Sequence, residues 1–479
     1  MASLDKASVR ENVINLKSTF NELKQSGKLT SESIILFNSM LMIIDLILSI
    51  FLEKKTKKTK DNSSIPSSQT DKDETAKSQT GAHGKGKAIK DGVANNTRVN
   101  KTVTLITVDE CTCCGEDLTR APCIEIERRT KIDIIFEKTV EHMDGEVKHC
   151  SVCDATVKAT FPTNMSSPLH YGNGLKAYVI NLLICQMVSL KRITVLIQSI
   201  FAIVLSEATI LKFVLRLHQA LGEWEAKAID TLLSQAALHV DETSLRVNKK
   251  NHWIHVYSSG DITLKKLHPS RGGQAIEDIN ILPRYGGVII HDCWASYFAY
   301  DNCQHGLCGS HILRELTFII DANGYRWAKN MKRLLQATCK VISKRKRKKL
   351  SEKEYANLQK RYRNIITRGE TELPVILTKA NGKRGKIAKS DAHNLWERLK
   401  THEASVLLFA KVADVAFTNN RAERDLRMAK VKQKVSGCFR NKDYADAYCR
   451  ISSFLQTMAN KGINPFIAIQ MVLNGQELF

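Results

Sequence analysis

The chain has 479 residues, too long for one small domain and long enough for two or three cores. Lys and Arg number 72 against 49 Asp and Glu, a formal charge of +23. A surplus that large points to a polyanion, nucleic acid first, with an anionic membrane surface as the competing reading. Thirteen cysteines, an odd number in a large chain that opens without a signal peptide, argue against a secreted disulfide scaffold and for a reducing, cytoplasmic setting.

Residues 1–53 read as helical. Ile34 to Leu52 is mostly apolar, but Asn38, Ser39, Asp45 and Ser49 interrupt it, and a carboxylate at a bilayer centre is costly. Leu36, Met40, Ile43, Ile47 and Ile50 fall at alternating four- and three-residue steps, the seam of a short coiled coil. A helix that pairs with a partner is therefore expected over a membrane span. Residues 54–103 lose nearly all large apolar side chains and read as a basic polar linker, opening on Lys54-Lys55-Thr56-Lys57-Lys58.

Residues 104–165 form a cysteine-bounded module. Cys111-Thr112-Cys113-Cys114 and Cys150-Ser151-Val152-Cys153 each supply a Cys-x-x-Cys step, and four thiolates on two such knuckles suit a closed structural Zn²⁺ site. The expected ligands are Cys111, Cys114, Cys150 and Cys153. Cys113 and Cys123 are spares, and His142 or His149 could replace one ligand. Residues 166–235 turn helical. Ile193 to Phe201, a break, then Ser206 as N-cap before Ala208 to Leu221 have the spacing of a DNA-binding helix-turn-helix, although an ordinary helix pair fits equally well. Lys191 and Arg192 are the candidate DNA contacts there.

Residues 236–326 switch to strands. Ala237 to Val247, Trp253 to Tyr257 and Thr263 to Leu267 predict an antiparallel meander, followed by a helix over Gly273 to Ile281 and a short strand, Gly287 to Ile290. Strand, strand, strand, helix, strand is the opening order of an RNase H-like core. Residues 327–410 look like a basic helical insertion around Lys344-Arg345-Lys346-Arg347-Lys348-Lys349. Residues 411–443 return to the core, and 444–479 close the chain with helix. The fold class is thus α+β or α/β and multidomain. A mixed-sheet, RNase H-like catalytic core with a helical insertion follows a zinc ribbon and a helical domain.

Phosphoryl transfer on DNA calls for two Mg²⁺ or Mn²⁺ ions held by convergent carboxylates. Asp241 lies within the first strand and Asp292 at the end of the fourth, strands that neighbour each other in such a sheet. A third carboxylate should come from a later helix. In Asn419-Asn420-Arg421-Ala422-Glu423-Arg424, Glu423 is the candidate, sharing a helix face with Arg427 and Lys430. Glu315 is the rival, and Glu242 should point to the opposite strand face. Arg424, Arg427 and Lys430 are candidate DNA contacts.

An ordered set of motifs resembles the transposases of insertion sequence family sixty-six from Cys111 onward. The set is His239-Val240-Asp241-Glu242-Thr243, Arg271-Gly272, His291-Asp292, Cys308 with His311, and Asn419-Asn420 through Glu423-Arg424 to Arg427. The resemblance implies a DDE triad of Asp241, Asp292 and Glu423, with Lys430 as an added basic residue. It also implies cleavage at element ends, strand transfer into target DNA, multimers, and small accessory proteins encoded beside the enzyme. The expected location is the cytoplasm, at the nucleoid, with no membrane partner. Two departures stand out. Cys293-Trp294 follows the second Asp where the family usually has Gly-Tyr, and Ile312-Leu313-Arg314 replaces the expected arginine pair. A zinc-ribbon regulator without catalysis, or an RNase H-like nuclease or resolvase, are the alternatives.

Overall fold

The computed structural model describes residues 6–27, 29–55, 102–134, 136–162, 165, 167–375 and 389–476. It divides into two units, residues 71–140 and the rest (Met1–Thr70 with Glu141–Phe479). Nearly all of the linker expected over 54–103 lies outside the described residues. The cysteine module expected over 104–165 is divided between the units, Cys111 and Cys114 in one, Cys150 and Cys153 in the other.

In the larger unit, helices α1 (Lys6–Gln25) and α2 (Ser31–Lys55) form a hairpin turned at Gly27, with φ of 67°, and the Phe20 and Phe37 rings sit 5.8 Å apart. On α2, Leu36, Met40 and Ile43 are 61%, 50% and 50% exposed, an open apolar seam. The side chains of Ile47 and Ile50 lie outside the described residues. Among the described residues, no helix is long and apolar enough to cross a membrane.

A small hairpin, β1 (Val147–His149) and β2 (Thr156–Lys158), precedes four helices: α3 (Asn173–Ile184), α4 (Leu190–Phe201), α5 (Glu207–Ala220) and α6 (Gly222–Leu233). Helix α4 stops at Ala202, whose left-handed φ of 53° ends the ladder, and α5 starts where Ser206 Oγ accepts the Thr209 N–H at 3.0 Å.

The sheet begins with β3 (Ala237–Val247), β4 (Lys250–Ser259) and β5 (Ile262–His268). Asn248 and Lys249 both take positive φ, 46° and 62°, in the two-residue turn whose twist matches a right-handed hairpin. Helix α7 (Gly273–Ile279) leads to β6 (Val288–His291), and β7 (Gln304–Leu307) follows. The order is β5-β4-β3-β6-β7, with β3 antiparallel to β4 and parallel to β6. Strand β7 was not expected. Its Gln-His-Gly-Leu sequence lacks alternation, and it is held by parallel pairing to β6.

Helices α8 (Gly309–Asn323), α9 (Arg326–Ser343), α10 (Glu352–Glu372), α11 (Asp391–Thr401) and α12 (Glu403–Lys411) come next. The cationic run Lys344–Lys349 is the turn between α9 and α10 rather than part of a helix, as crowded like charges favour. Ser351 and Glu354 cap α10 reciprocally, and Glu354 also pairs with Arg345. The chain ends with α13 (Asn420–Ser436), α14 (Lys442–Asn460) and α15 (Pro465–Leu473).

Strand alternation feeds two cores. Leu238, Val240 and Ile289 join one with α3–α6 and α13–α15, whereas Ala237, Val288, Ile290 and Leu307 join another with α8–α12. Two expected boundaries therefore move. The helical segment 166–235 has no core of its own but shares the first one with the sheet. The closing segment 444–479 belongs to that core as well, because α14 lies on β5. There Ser453 Oγ accepts the Lys265 N–H at 2.8 Å, and Thr457 Oγ1 accepts the Thr263 N–H at 3.1 Å. Asn173 Nδ2 ties α3 to the last helix, donating to Leu473 O at 3.0 Å and Asn474 Oδ1 at 2.9 Å.

Glu225 of α6 pins these layers together. Its buried carboxylate takes Arg450 Nη2 from α14 and Lys266 Nζ from β5, each at 2.7 Å. Removing one member of a buried pair strands the others' charges. Glu225→Ala is expected to cost about 3 kcal/mol, read as a shifted urea midpoint with an unchanged slope.

Candidate active site at the β3–β6 edge

The parallel register of β3 on β6 runs Ala237↔Val288, Leu238↔Ile289, His239↔Ile290. Two residues further along the same register, Asp241 comes level with Asp292. The pairing stops two residues short of them, but its register sets the two carboxylates side by side, close enough for Asp292 to act on Asp241. Asp292 Oδ1 accepts the Trp294 N–H at 3.1 Å, closing a tight turn through Cys293.

Glu423 reaches this edge through a clamp. Asn419, 1% exposed, donates from Nδ2 to Val240 O at 2.8 Å, which fixes the amide so that Oδ1 faces His239 Nδ1 at 2.9 Å. A carbonyl oxygen can only accept, so His239 carries its proton on Nδ1. Burial also holds the His239 ring below its usual pKa, which favours that neutral form. The Asn419 N–H donates to Cys308 Sγ at 3.1 Å, joining the start of α13 to the start of α8. Further along, Lys430 Nζ donates to Ser244 O at 2.8 Å and Ser244 Oγ at 3.0 Å. Helix α13 is therefore fastened to β3 on both sides of Asp241, with Glu423 one turn in.

The charges at this edge repel. Burial pushes the Asp241 carboxyl well above the ordinary carboxylate range, and Glu242, Asp292 and Glu423 push it further the same way. Glu423 Oε1 is buried without a hydrogen-bond partner, 3.5 Å from His311 Nδ1 and 3.9 Å from Arg314 Nη2. Glu242 turns to the other side of β3, as alternation requires. There Arg271 takes its Oε1 through Nε and Nη2 at 2.8 and 2.6 Å, and the Tyr297 hydroxyl donates to Oε2 at 2.6 Å. Arg271 in turn lies 5.0 Å from the centre of the Trp253 ring and 4.5 Å from that of Trp294. The rival carboxylate, Glu315, gives both oxygens to Arg398 of α11 at 3.0 and 2.6 Å.

Of the basic residues expected at DNA, Arg424 and Arg427 project from α13 into solvent, and Lys191 and Arg192 are exposed in the first turn of α4. The ammonium of Lys430 is instead taken by Ser244. Helical periodicity rightly put Lys430 two turns from Glu423, but nothing in it says where a long side chain ends. Sequence reasoning also missed the roles of His239 and Asn419. Their signal is His-x-Asp on the strand and Asn-Asn-x-x-Glu on the helix, both present among the quoted motifs.

Each cysteine knuckle repeats one local geometry within its own unit. Around Cys111, residues Glu110 and Asp117 bridge; the Cys111 N–H reaches Glu116 O, and the Gly115 N–H reaches Cys111 O, both at 2.9 Å. Around Cys150, residues His149 and Thr156 pair; the Cys150 N–H reaches Ala155 O, and the Asp154 N–H reaches Cys150 O, again at 2.9 Å. Gly115 and Asp154 both take positive φ, 75° and 59°.

The profile of the Transposase IS66 family matches residues 169–447, more than half of the chain and all of the edge just described. The chain belongs to the IS66 family of transposases. Membership implies a DNA-cleaving and DNA-transferring enzyme, with DNA as its partner. No curated protein matches the chain.

The departure from the IS66 pattern after Asp292 has a structural cost. Cys293 has φ of 74°, a left-handed conformation that glycine takes freely and other residues pay roughly 1–2 kcal/mol to hold. Cys293→Gly is expected to stay within about 1 kcal/mol of the parent, because relief of strain offsets lost packing. The β-branched Cys293→Val is expected to lose about 2 kcal/mol or more. Chemical denaturation of the two variants checks the order.

Proposed function

We propose that this transposase performs cleavage and strand transfer on an RNase H-like core, with Asp241, Asp292 and Glu423 as its carboxylate triad. What supports the reading is the β3–β6 register together with the Asn419 clamp. The first makes two aspartates level, and the second delivers a glutamate from 182 positions further along the chain to the same edge. The sheet order β5-β4-β3-β6-β7, with only β4 antiparallel to its neighbours, is the topology expected of that core.

The residues fit a pair of Mg²⁺ or Mn²⁺ ions. Three oxygen ligands of one charge lie near enough to interact, since burial first and then Glu242, Asp292 and Glu423 push Asp241 towards its protonated form, and Glu423 Oε1 has no hydrogen-bond donor among the described residues. Such ions, when bound, activate the attacking oxygen and steady the leaving one at a phosphate. The chain's own residues do the rest. Asn419 and Lys430 hold the helix so that Glu423 stays at the edge. Arg424 and Arg427 face solvent beside it, where phosphates would lie. Arg271 and Tyr297 keep Glu242 occupied, so that it does not compete for the same ions. We further propose that Cys111, Cys114, Cys150 and Cys153 hold a structural Zn²⁺, that Lys191 and Arg192 touch the terminal repeats, and that the open seam of α2 pairs protomers.

The test is cleavage and joining of a labelled terminal-repeat DNA in Mg²⁺, comparing the parent with Asp292→Ala. The parent is expected to cut and join, and the variant to bind DNA and do neither. Cutting without joining would instead indicate a nuclease, and binding without reaction by either protein a regulator. In chelator, where the repulsion is uncompensated, Asp241→Asn is expected to raise the melting temperature by several degrees, and in Mg²⁺ the same variant is expected to cut and join nothing.

A further inference from the structure

Cys308 and His311 stand one helical turn apart at the start of α8, and the clamp described above places Glu423 beside them. A Cys308 sulfur, a His311 ring nitrogen and a Glu423 oxygen all lie within 4.8 Å of one another. Two of these groups present buried atoms, His311 Nδ1 and Glu423 Oε1, that have no hydrogen-bond partner among the described residues. At 3.5 Å they are too far apart to satisfy each other.

The Asn419 N–H donates to the Cys308 sulfur at 3.1 Å. Burial, with Glu423 beside it, nevertheless holds the thiol above its ordinary pKa, against the N–H groups of Asn419, His311 and Ser310. The same second- and third-position N–H groups act on Cys111, from Cys113 and Cys114, and on Cys150, from Val152 and Cys153. Cys308-Gly309-Ser310-His311 thus shares the spacing and the N–H donors of the two knuckles, with an imidazole where they have a second thiol. Its thiol is buried and its pKa raised, whereas Cys111 and Cys150 are half-buried and theirs lowered.

We propose that Cys308, His311 and Glu423 form a binding site for a soft divalent cation of the zinc class, and that its occupancy withdraws Glu423 from Asp241 and Asp292. Thiolate and imidazole select such a cation and reject Mg²⁺, which demands oxygen. Three protein ligands leave a fourth position to water, as in open zinc sites. Bonds of 2.0–2.3 Å require ligand separations of about 3.5 Å, so the three groups need converge by only about 1 Å. Binding releases the Cys308 thiol proton to solvent. Arg314, 3.9 Å from Glu423 Oε1, would have to give way. The ion then opposes the transferase by competing for one shared carboxylate. That second half rests on the triad reading above, whereas the binding half does not.

The experiment uses the full chain, stripped with chelator and titrated with Co²⁺, alongside Cys308→Ser and His311→Gln. Serine keeps an acceptor for the Asn419 N–H, and glutamine leaves the thiol in place, so two different losses probe one site. The parent is expected to bind one equivalent more than either variant and to show additional thiolate-to-cobalt absorption that Cys308→Ser lacks. Equal metal content and equal spectra in all three would overturn the site. In the second arm, Mg²⁺-supported cleavage of terminal-repeat DNA is measured with and without micromolar Zn²⁺. Suppression of about tenfold or more is expected in the parent and is expected to fall below about twofold in His311→Gln. Equal suppression in both proteins would overturn the inhibitory half. If the parent shows the extra Co²⁺ equivalent but cleaves nothing in Mg²⁺, the triad reading fails and the metal site stands.

Discussion

The side chain of Asn419 is the contact on which the candidate active site depends. It is one amide, fully enclosed, spending its donor on Val240 and its acceptor on His239, while its backbone N–H meets Cys308. His239 and Val240 belong to β3 and Cys308 to the start of α8, so the residue joins the strand that carries Asp241, the helix that carries His311 and the helix that carries Glu423. A buried amide with every polar atom satisfied stabilises modestly in net terms but tolerates no misplacement, because each unmade bond costs about 1–3 kcal/mol. That intolerance is what a site of converging carboxylates needs. The repulsion among Asp241, Asp292 and Glu423 would otherwise be relieved by letting α13 drift.

Backbone and side chain divide the labour. Register between β3 and β6, paired as far as His239 with Ile290, sets the two aspartates level. The helix has no such ladder to the sheet and depends on point fastenings, among them Asn419, Lys430, Arg421 on Ile262 O and, on its inner face, Asp425. The Asp425 carboxylate accepts from Ser258 Oγ at 2.7 Å and Thr263 Oγ1 at 2.9 Å. Local strain is kept at the other side of the site, in the left-handed Cys293, where a glycine would have been at ease. The insertion α9–α12 touches the same region through Arg398, whose grip on Glu315 removes one carboxylate from the edge.

What could be read from sequence follows from what is local. The place of Asp241 in the first strand and of Asp292 just past the end of β6 was legible because alternation and turn residues locate strands. Glu423 was legible only through the motif around it, since its helix alone resembles any surface helix with Glu and Arg. The clamp was not legible, because His239 and Asn419 meet across 180 positions of chain and neither residue type announces a partner. Strand β7 was missed for want of alternation, and the boundary at 444 for want of any signal that α14 would lie on β5. Periodicity put Lys430 on the right face of α13 and left open where its ammonium ends.

The tie between Asn173 and residues 473–474 sets an order for the protein's own synthesis. Helix α3 emerges from the ribosome early, yet the backbone it is fastened to is made 300 positions later. The first core is likewise shared between α3–α6 and α13–α15, so the helices that come out first cannot finish burying their apolar faces until those final helices exist. A chain interrupted anywhere in the insertion would carry Asp241 and Asp292 but lack Glu423, Asn419 and the cover for its first helices. Such fragments would be poor at holding shape and ready for proteolysis. The candidate active site is thus completed only once α13 has been made, so a chain stopped before it lacks the third carboxylate.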